Sequence, residues 1–399
     1  MKYERGNAMN KKTVAVVTGT RAEYGLLRPV LQKLLRSAVL EPQLLVTGAH
    51  LAAEYGGTVA EIEADGTPIA ARIPILKFGA GPLATADTVA YAIGQFSRWF
   101  WEHRPACCLV LGDRYEIFAA AQAAAYTGVP VAHISGGDVT LGAADDWYRH
   151  CITKIAHLHF PSCAEYAARV VRMGEAPGTV FNVGGLGDEN IRRMEKLPRA
   201  QLAESLGFDV TQPFGLVTFH PETAGGAAPE AQMAELLAAL EEVGELKWLI
   251  TKANADAGGS RINAMLDDWA AARPEHAAVF ASLGVKRYLS AMQCAAVVAG
   301  NSSSGVVETP TFGVPAVNIG QRQAGRIVCG NVLCCPAEKE AILAALRTAL
   351  TPAFAQKAHA AVSPYNGGDT SGRIVRVLEE KLLEPGFGAP KVFYDGERG

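Results

Sequence analysis

Between Leu111 and Lys154 the chain reads LGDRYEIFAAAQAAAYTGVPVAHISGGDVTLGAADDWYRHCITK. Asp113, Asp138, Asp145 and Asp146 stand here with His133, His150, Arg114 and Arg149, among glycines and short apolar runs. A purely structural segment does not need that mixture, whereas proton transfer does, because it depends on positioned groups of suitable acidity. Asp113 follows an apolar run and can be read either as the cap of a helix starting near Tyr115 or as a working acid. If residues 147–156 are helical, Asp146, Arg149 and His150 fall at i, i+3 and i+4 on one face, with Asp145 at the N-cap. His157 and His159 alternate along the next apolar run, but no thiolate or convergent carboxylate completes a ligand set, so they read as structural and no metal is expected.

Other polar residues follow apolar runs in the same way, where ligands of open parallel sheets are bound. GTRAEYG (19–25) is neither a dinucleotide fingerprint nor a Walker loop. It places Arg21 at a helix start, where backbone N–H groups favour an anion, the alternative being a simple pair with a nearby acid. TGAHL ends in His50, and FHPET (219–223) carries His220. Asn254 lies in the turn-rich TKANADAGG. The sharpest signal is AGNSSSGVVETPTFGVPAVNIGQRQAGR (299–326). Ser302, Ser303 and Ser304 precede a helix expected to contain Glu308, and a plain cap needs one serine rather than three. Arg322 and Arg326 follow the next apolar run, as residues that read a diphosphate by multidentate contacts would.

The elements that must position these residues alternate between short β-rich runs and helical patterns, the signature of βαβ units and parallel sheets. Strands are predicted at 13–19, 43–48, 107–112, 129–134, 157–160 and 179–184, with helices over 23–36, 52–64, 83–103, 115–127, 145–156 and 163–174. A second series of strands is predicted at 214–220, 247–250, 277–280, 295–300, 314–319 and 331–335. The fold class is therefore α/β with two Rossmann-like halves: 12–188 and 213–366, joined by a hinge region at 189–212. A helix over 367–385 follows, then a loosely ordered tail from residue 386, the looseness setting in at Glu384.

At 399 residues the chain fits two domains of roughly 180 residues each. A hydrophobic share of 49% against 19% charged supplies buried sheets, and a net charge of −3 offers no general attraction to nucleic acid or an anionic membrane. Any anionic ligand must be held locally. The opening MKYERGNAMNKK lacks the apolar core of a signal peptide and reads as lying outside the fold up to Met9, so a cytoplasmic protein is expected. The eight cysteines have no CxxC spacing and read as reduced thiols. Trp99, Phe100 and Trp101 suit either a core helix or an oligomer surface.

These motifs together resemble the hydrolysing UDP-N-acetylglucosamine 2-epimerases of sialic and related nonulosonic acid synthesis. The resemblance rests on VTGTRAEYG, TGAHL, VLGDRYE, HISGGDVT with DDWYRH and ITK, FNVGG, FHPET, GNSSSGVVE and NIGQRQAGR, in order from Val14 to Arg326. It implies a GT-B-like fold of two Rossmann-type domains facing across a cleft, with a C-terminal helix returning to the first. Carried over by motif, Asp113, Asp138, Asp146 and His220 form the catalytic set, with Asp146 preferred to Asp145 as the partner of Asp113. His220 also contacts nucleotide, together with Asn254, Ser302, Ser303, Glu308 and Arg322; Arg21, His50, Arg114 and His133 complete the substrate set. Other family members carry Glu where this chain has Ser135, so that position cannot transfer protons here. The implied reaction converts UDP-N-acetylglucosamine to N-acetylmannosamine and UDP, or acts in the same way on UDP-2,4-diacetamido-2,4,6-trideoxyglucose, without cofactor and in a homo-oligomer, a dimer or tetramer. A GT-B glycosyltransferase would share the nucleotide-facing motifs but has less reason to gather four aspartates.

Overall fold

A computed structural model describes residues 11–52, 57–77, 82–140, 145–222, 228–253 and 259–396. The leading residues expected outside the fold, and Asn254, lie outside the described residues. The described residues through Asp138 form one compact unit with those of 145–189 and 367–396, and those of 190–366 build a second together with Val139 and Thr140.

The first unit holds β1 (Lys12–Thr18), β2 (Leu40–Thr47), β3 (Ile69–Ile73), β4 (Cys107–Leu111), β5 (Val131–Ile134) and β6 (Leu158–Phe160). They lie in the order β3-β2-β1-β4-β5-β6 with every pairing parallel. Between them run α1 (Arg21–Arg36), α2 (Val59–Ala64), α3 (Pro82–His103), α4 (Tyr115–Tyr126), α5 (Asp145–Ile155) and α6 (Ala164–Arg172). Strands such as KTVAVVT and CCLVL are near-continuously apolar because helices cover both faces. One face packs Val14, Val16 and Leu109 on Leu27 and Leu31 of α1, the other Ala15, Val17 and Val110 on Phe96 and Phe100 of α3 and on the alanines of α4.

The chain enters the second unit through α7 (Leu186–Arg193) and α8 (Arg199–Leu206). There follow β7 (Phe214–Thr218), α9 (Pro229–Glu242), β8 (Lys247–Thr251), α10 (Gly259–Ala271), β9 (Ala277–Phe280), α11 (Gly284–Cys294) and β10 (Val297–Gly300). Next come α12 (Ser304–Val307), α13 (Thr309–Phe312), β11 (Ala316–Ile319), β12 (Val332–Cys335), α14 (Lys339–Ala349) and α15 (Pro352–His359). The sheet order is β12-β11-β10-β7-β8-β9, again parallel. Counted within its own unit, each sheet has the doubly wound strand order 3-2-1-4-5-6. The chain then returns to the first unit as α16 (Thr370–Lys381), whose Ile374, Val375 and Leu378 join the core around α1.

Four expectations change. Residues 179–184 form no strand: Val180 makes a single parallel bridge to His159, and the segment runs on as coil past a turn at Pro177 and Gly178. The sixth strand of that sheet is instead β3, whose half-buried IAARI sits at an edge and so lacks a buried strand's apolar run. The 189–212 segment is not a bare hinge, because Leu202, Leu206, Phe208 and Val210 are core residues of the second unit. The tail is laid along the first unit: Lys391 Nζ donates to Glu175 Oε2 at 2.6 Å and to Lys154 O at 2.9 Å, and Tyr394 N–H donates to Gly174 O at 3.0 Å.

Candidate active site

In a sheet of this order the helices after the first and fourth strands diverge, and the crevice between them is where ligands bind. In the first unit that point lies between the ends of β1 and β4. Thr20 caps α1 through a reciprocal box: its hydroxyl accepts the Glu23 N–H, and Glu23 Oε2 accepts the N–H groups of Thr20 (3.2 Å) and Gly19 (2.7 Å). Arg21 points outward and pairs with Glu61 at 2.9 Å. After β4, Arg114 Nε donates to the buried Glu116 at 2.6 Å and lies 3.9 Å from Glu23. Glu116 folds over Gly19, whose missing Cβ would stand 2.7 Å from its Cγ. Burial first, then the charge of Glu116, pushes the Glu23 carboxyl up to about 7.

Asp113 does not cap α4, whose N-cap is Arg114. Its carboxylate pairs with Arg149, a buried residue of α5. The same guanidinium donates to Asp146 Oδ1 at 3.1 Å and to the backbone carbonyl of Asp138 at 2.8 Å. His150 Nε2 lies 3.5 Å from Asp146 Oδ2. The expected helical face is therefore present, and Arg149 draws Asp113, Asp138 and Asp146 together. Asp145 is the first residue of α5 rather than its cap, and it lies outside this network. Lost hydration and the neighbouring charge of Asp113 push its carboxyl up, an attribute of a proton donor.

His133 and His50 are placed differently from the acids. His133 is fully buried, with Nε2 on Gly112 O at 2.8 Å, and desolvation drops it to about 3, so it stays neutral. It underlies the turn after β5, where a Cβ on Gly136 would meet its Nδ1 at 3.0 Å. In that turn Ser135 takes φ 65°, a left-handed conformation rare for a residue with a side chain. His50 is buried between Thr18 (3.1 Å) and Thr58 (2.8 Å). His159 is buried against Glu175 at 3.0 Å, in keeping with the structural reading. Among the described residues no group of three metal-ligating side chains occurs.

In the second unit the corresponding point lies between β7 and β10. His220 follows β7 and is 7% exposed. Ser302, Ser303 and Ser304 follow β10, with Ser304 N–H on Ser302 Oγ at 3.4 Å. Glu308 is not inside one helix: it ends α12 and begins α13, because Pro310 in the first turn of α13 starts a new helix. Burial pushes its carboxyl up, opposed by a hydrogen bond from Ser304. Arg322 is exposed in the turn after β11, its Nη1 3.4 Å from Asn301 O.

Two half-sites thus stand at equivalent places in two doubly wound sheets, one acidic and one rich in hydroxyls. A family model described as UDP-N-acetylglucosamine 2-epimerase matches residues 32–379. The chain belongs to the UDP-N-acetylglucosamine 2-epimerase family. It is 36% identical over 325 residues to the GDP/UDP-N,N'-diacetylbacillosamine 2-epimerase (hydrolyzing) of Campylobacter jejuni, covering 82% of this chain and 84% of that protein. It is 32% identical over 368 residues to the UDP-N,N'-diacetylbacillosamine 2-epimerase (hydrolyzing) of Legionella pneumophila, covering 92% and 96%. Its fold matches the Neisseria meningitidis UDP-GlcNAc 2-epimerase solved with UDP-GlcNAc, with a TM-score of 0.78, 17% identity, and 92% and 100% of the two chains covered. The GT-B-like class expected from the motifs is therefore the fold of this epimerase-family chain.

The motifs of the epimerase chain do not single out Glu23, Glu116, Glu222 or Gln323, and they place Asn301 only beside the serines and Arg149 only among the charged residues of the 111–154 stretch. One signal was available: Thr20-x-x-Glu23 spells a capping box, which fixes Glu23 at the mouth of β1. Asp146 is reached by the i,i+3 spacing on α5, but Asp113 and Asp138 come from the separate loops after β4 and β5, and no local spacing joins them to Arg149.

Proposed function

We propose that the chain is a hydrolysing 2-epimerase of a UDP-linked 2-acetamido sugar. The observation that carries the reading is the Asp113–Arg149–Asp146 network beside Asp138 and Asp145, at the switch point of the first sheet. In the reaction a carboxylate removes the proton from sugar C2. That electron pair forms the C1=C2 bond, and the C1–O bond breaks with its electrons leaving on UDP. Water then adds across the double bond of the 2-acetamidoglycal, hydroxyl to C1 and hydrogen to C2, on the face that inverts C2. Products are UDP and the free manno-configured sugar.

Asp113 is the candidate base, and its partner comes from Asp138, Asp145 and Asp146. The proton-holding tendency of Asp145 moves it ahead of Asp146, which is engaged with Arg149 and His150. His220, Ser302, Ser303, Glu308 and Arg322 of the second unit take the nucleotide, with Asn254; donors there would stabilise charge on the departing diphosphate. Arg21 and Arg114 stay paired with Glu61 and Glu116 in the first unit, and no cofactor enters the scheme.

UDP-2,4-diacetamido-2,4,6-trideoxyglucose is the preferred substrate, on likeness to the Campylobacter and Legionella proteins named for that sugar under its name N,N'-diacetylbacillosamine. UDP-N-acetylglucosamine is the second reading, on the family description. Incubating the protein with each sugar in deuterated water and following products by NMR tests both. Free UDP and a manno-configured product deuterated at C2 are expected from one substrate. Release of UDP without C2 exchange would leave a simple hydrolase.

A further inference from the structure

The second switch point contains a fully buried polar side chain to which no nucleotide contact has been assigned. Asn301, the first residue after β10, is 0% exposed. Its Oδ1 accepts the N–H of His220 at 2.7 Å, and its Nδ2 donates to the carbonyl of His220 at 2.9 Å. This is a two-point grip on one residue's backbone, the pattern by which strand neighbours pair. The backbone of Asn301 is engaged as well. Its N–H donates to Thr218 O at 3.1 Å, and its carbonyl accepts Gln323 Nε2 at 2.9 Å and Arg322 Nη1 at 3.4 Å. Gly300 permits the approach, since a Cβ there would stand 2.0 Å from Thr218 O at φ +132°.

A second link closes the circuit. Glu222, two residues after His220 and 6% exposed, accepts the Gln321 N–H on Oε1 at 2.8 Å. The loops after β7, β10 and β11 are therefore tied pairwise through buried side chains, and each carries a member of the proposed nucleotide set: His220, the serine turn, and Arg322.

We propose that Asn301 and Glu222 are positioning residues that fix His220, the serine turn and Arg322 in the arrangement that receives a nucleoside diphosphate. The inference rests on the reading of this unit as the UDP holder. An unfixed loop must be ordered by the ligand at the ligand's cost, so loosening the bracket weakens binding without removing any contact group.

The test measures UDP binding calorimetrically on the full chain, alongside thermal unfolding. N301A should raise the UDP Kd by about tenfold or more while the chain still unfolds cooperatively. N301D, which keeps the acceptor for the His220 N–H but sets an oxygen against its carbonyl, should also weaken binding. E222A should raise Kd severalfold, and E222Q, which keeps the Oε1 acceptor, should restore most of it; rescue by shape and acceptor alone is not expected of a charge that merely attracts. If N301A does not fold, the E222A and E222Q pair decides, and equal affinity in both would overturn the proposal. A folded N301A with wild-type affinity would overturn it too. A wild-type chain that binds no UDP would instead overturn the nucleotide reading from which the inference starts.

Discussion

Arg149 shows how one buried cation organises several acids. A charge 5% exposed is costly unless paired and hydrogen-bonded, and Asp113, Asp146 and the Asp138 carbonyl supply that compensation. Replacing it with methionine leaves the carboxylates facing one another uncompensated. Turnover of R149M should fall by about a hundredfold or more, while UDP affinity, which the proposed function assigns to the second unit, changes little. Steady-state kinetics with parallel calorimetry separates the two. Glu23 makes a prediction of opposite kind. With its native acidity at about 7 against an ordinary 4.5, the folded protein retains a proton that the unfolded chain has released, so stability falls as pH rises from 4.5 toward 7 and then levels off. E23Q removes that dependence. Relative to wild type it should gain about 2–3 kcal/mol between pH 4.5 and 8, read from urea midpoints at the two values. His133 acts in the reverse sense: held neutral with its acidity near 3, it contributes stability above 6.5 that is lost as pH falls toward 3.

At the level of elements, the tail behind α16 is a strap rather than a loose end. Buried Glu175 gathers Lys154 of α5, His159 of β6 and Lys391 of the tail, which together hold its carboxyl down to about 2 against the cost of burial. K391M should lower stability by about 1–2 kcal/mol at pH 7 and move the acid unfolding transition to higher pH, since the stability tied to a depressed carboxyl is present above its ordinary value and lost below it. Denaturant melts at several pH values check both shifts. The strap was invisible to sequence reading because residues 384–396 carry neither periodicity nor a dense apolar run; Lys391 is held by one distant buried acid. The central strands, by contrast, were legible from their unbroken apolar runs, and α5 from the spacing of Asp146, Arg149 and His150. Edge strand β3 escapes the pattern because IAARI alternates half-buried and exposed positions before the buried Ile73, and residues 179–184 mimic a strand because apolar residues also line a coil beside β6. The serine turn and the acids stand out in the sequence because chemistry selects residue types; Glu222 does not, because a buried glutamate looks ordinary until its partners are seen.

Across the whole molecule, each sheet repeats the same winding, and the acids and hydroxyls fall on opposite members of the pair. The acidic and the nucleotide functions should therefore separate by mutation: D113N should lose turnover while UDP affinity persists, whereas substitutions at Ser302 and Ser303 should weaken UDP binding. Loss of UDP binding in a folded D113N would remove Asp113 from the proton-transfer role. The second unit lies between two parts of the first, with α16 returning after residue 367 to bury Ile374, Val375 and Leu378 against α1, and with Ser371 donating to Glu189 at 2.7 Å. That arrangement inverts the usual order of events at the ribosome. Domains generally fold as they emerge, first unit first. Here the N-terminal sheet lacks one of its covering helices until α16 has been synthesised, while residues 190–366 are complete earlier. The later-encoded unit is expected to mature first, and the earlier-encoded one to wait, short of one covering helix, until α16 has left the ribosome.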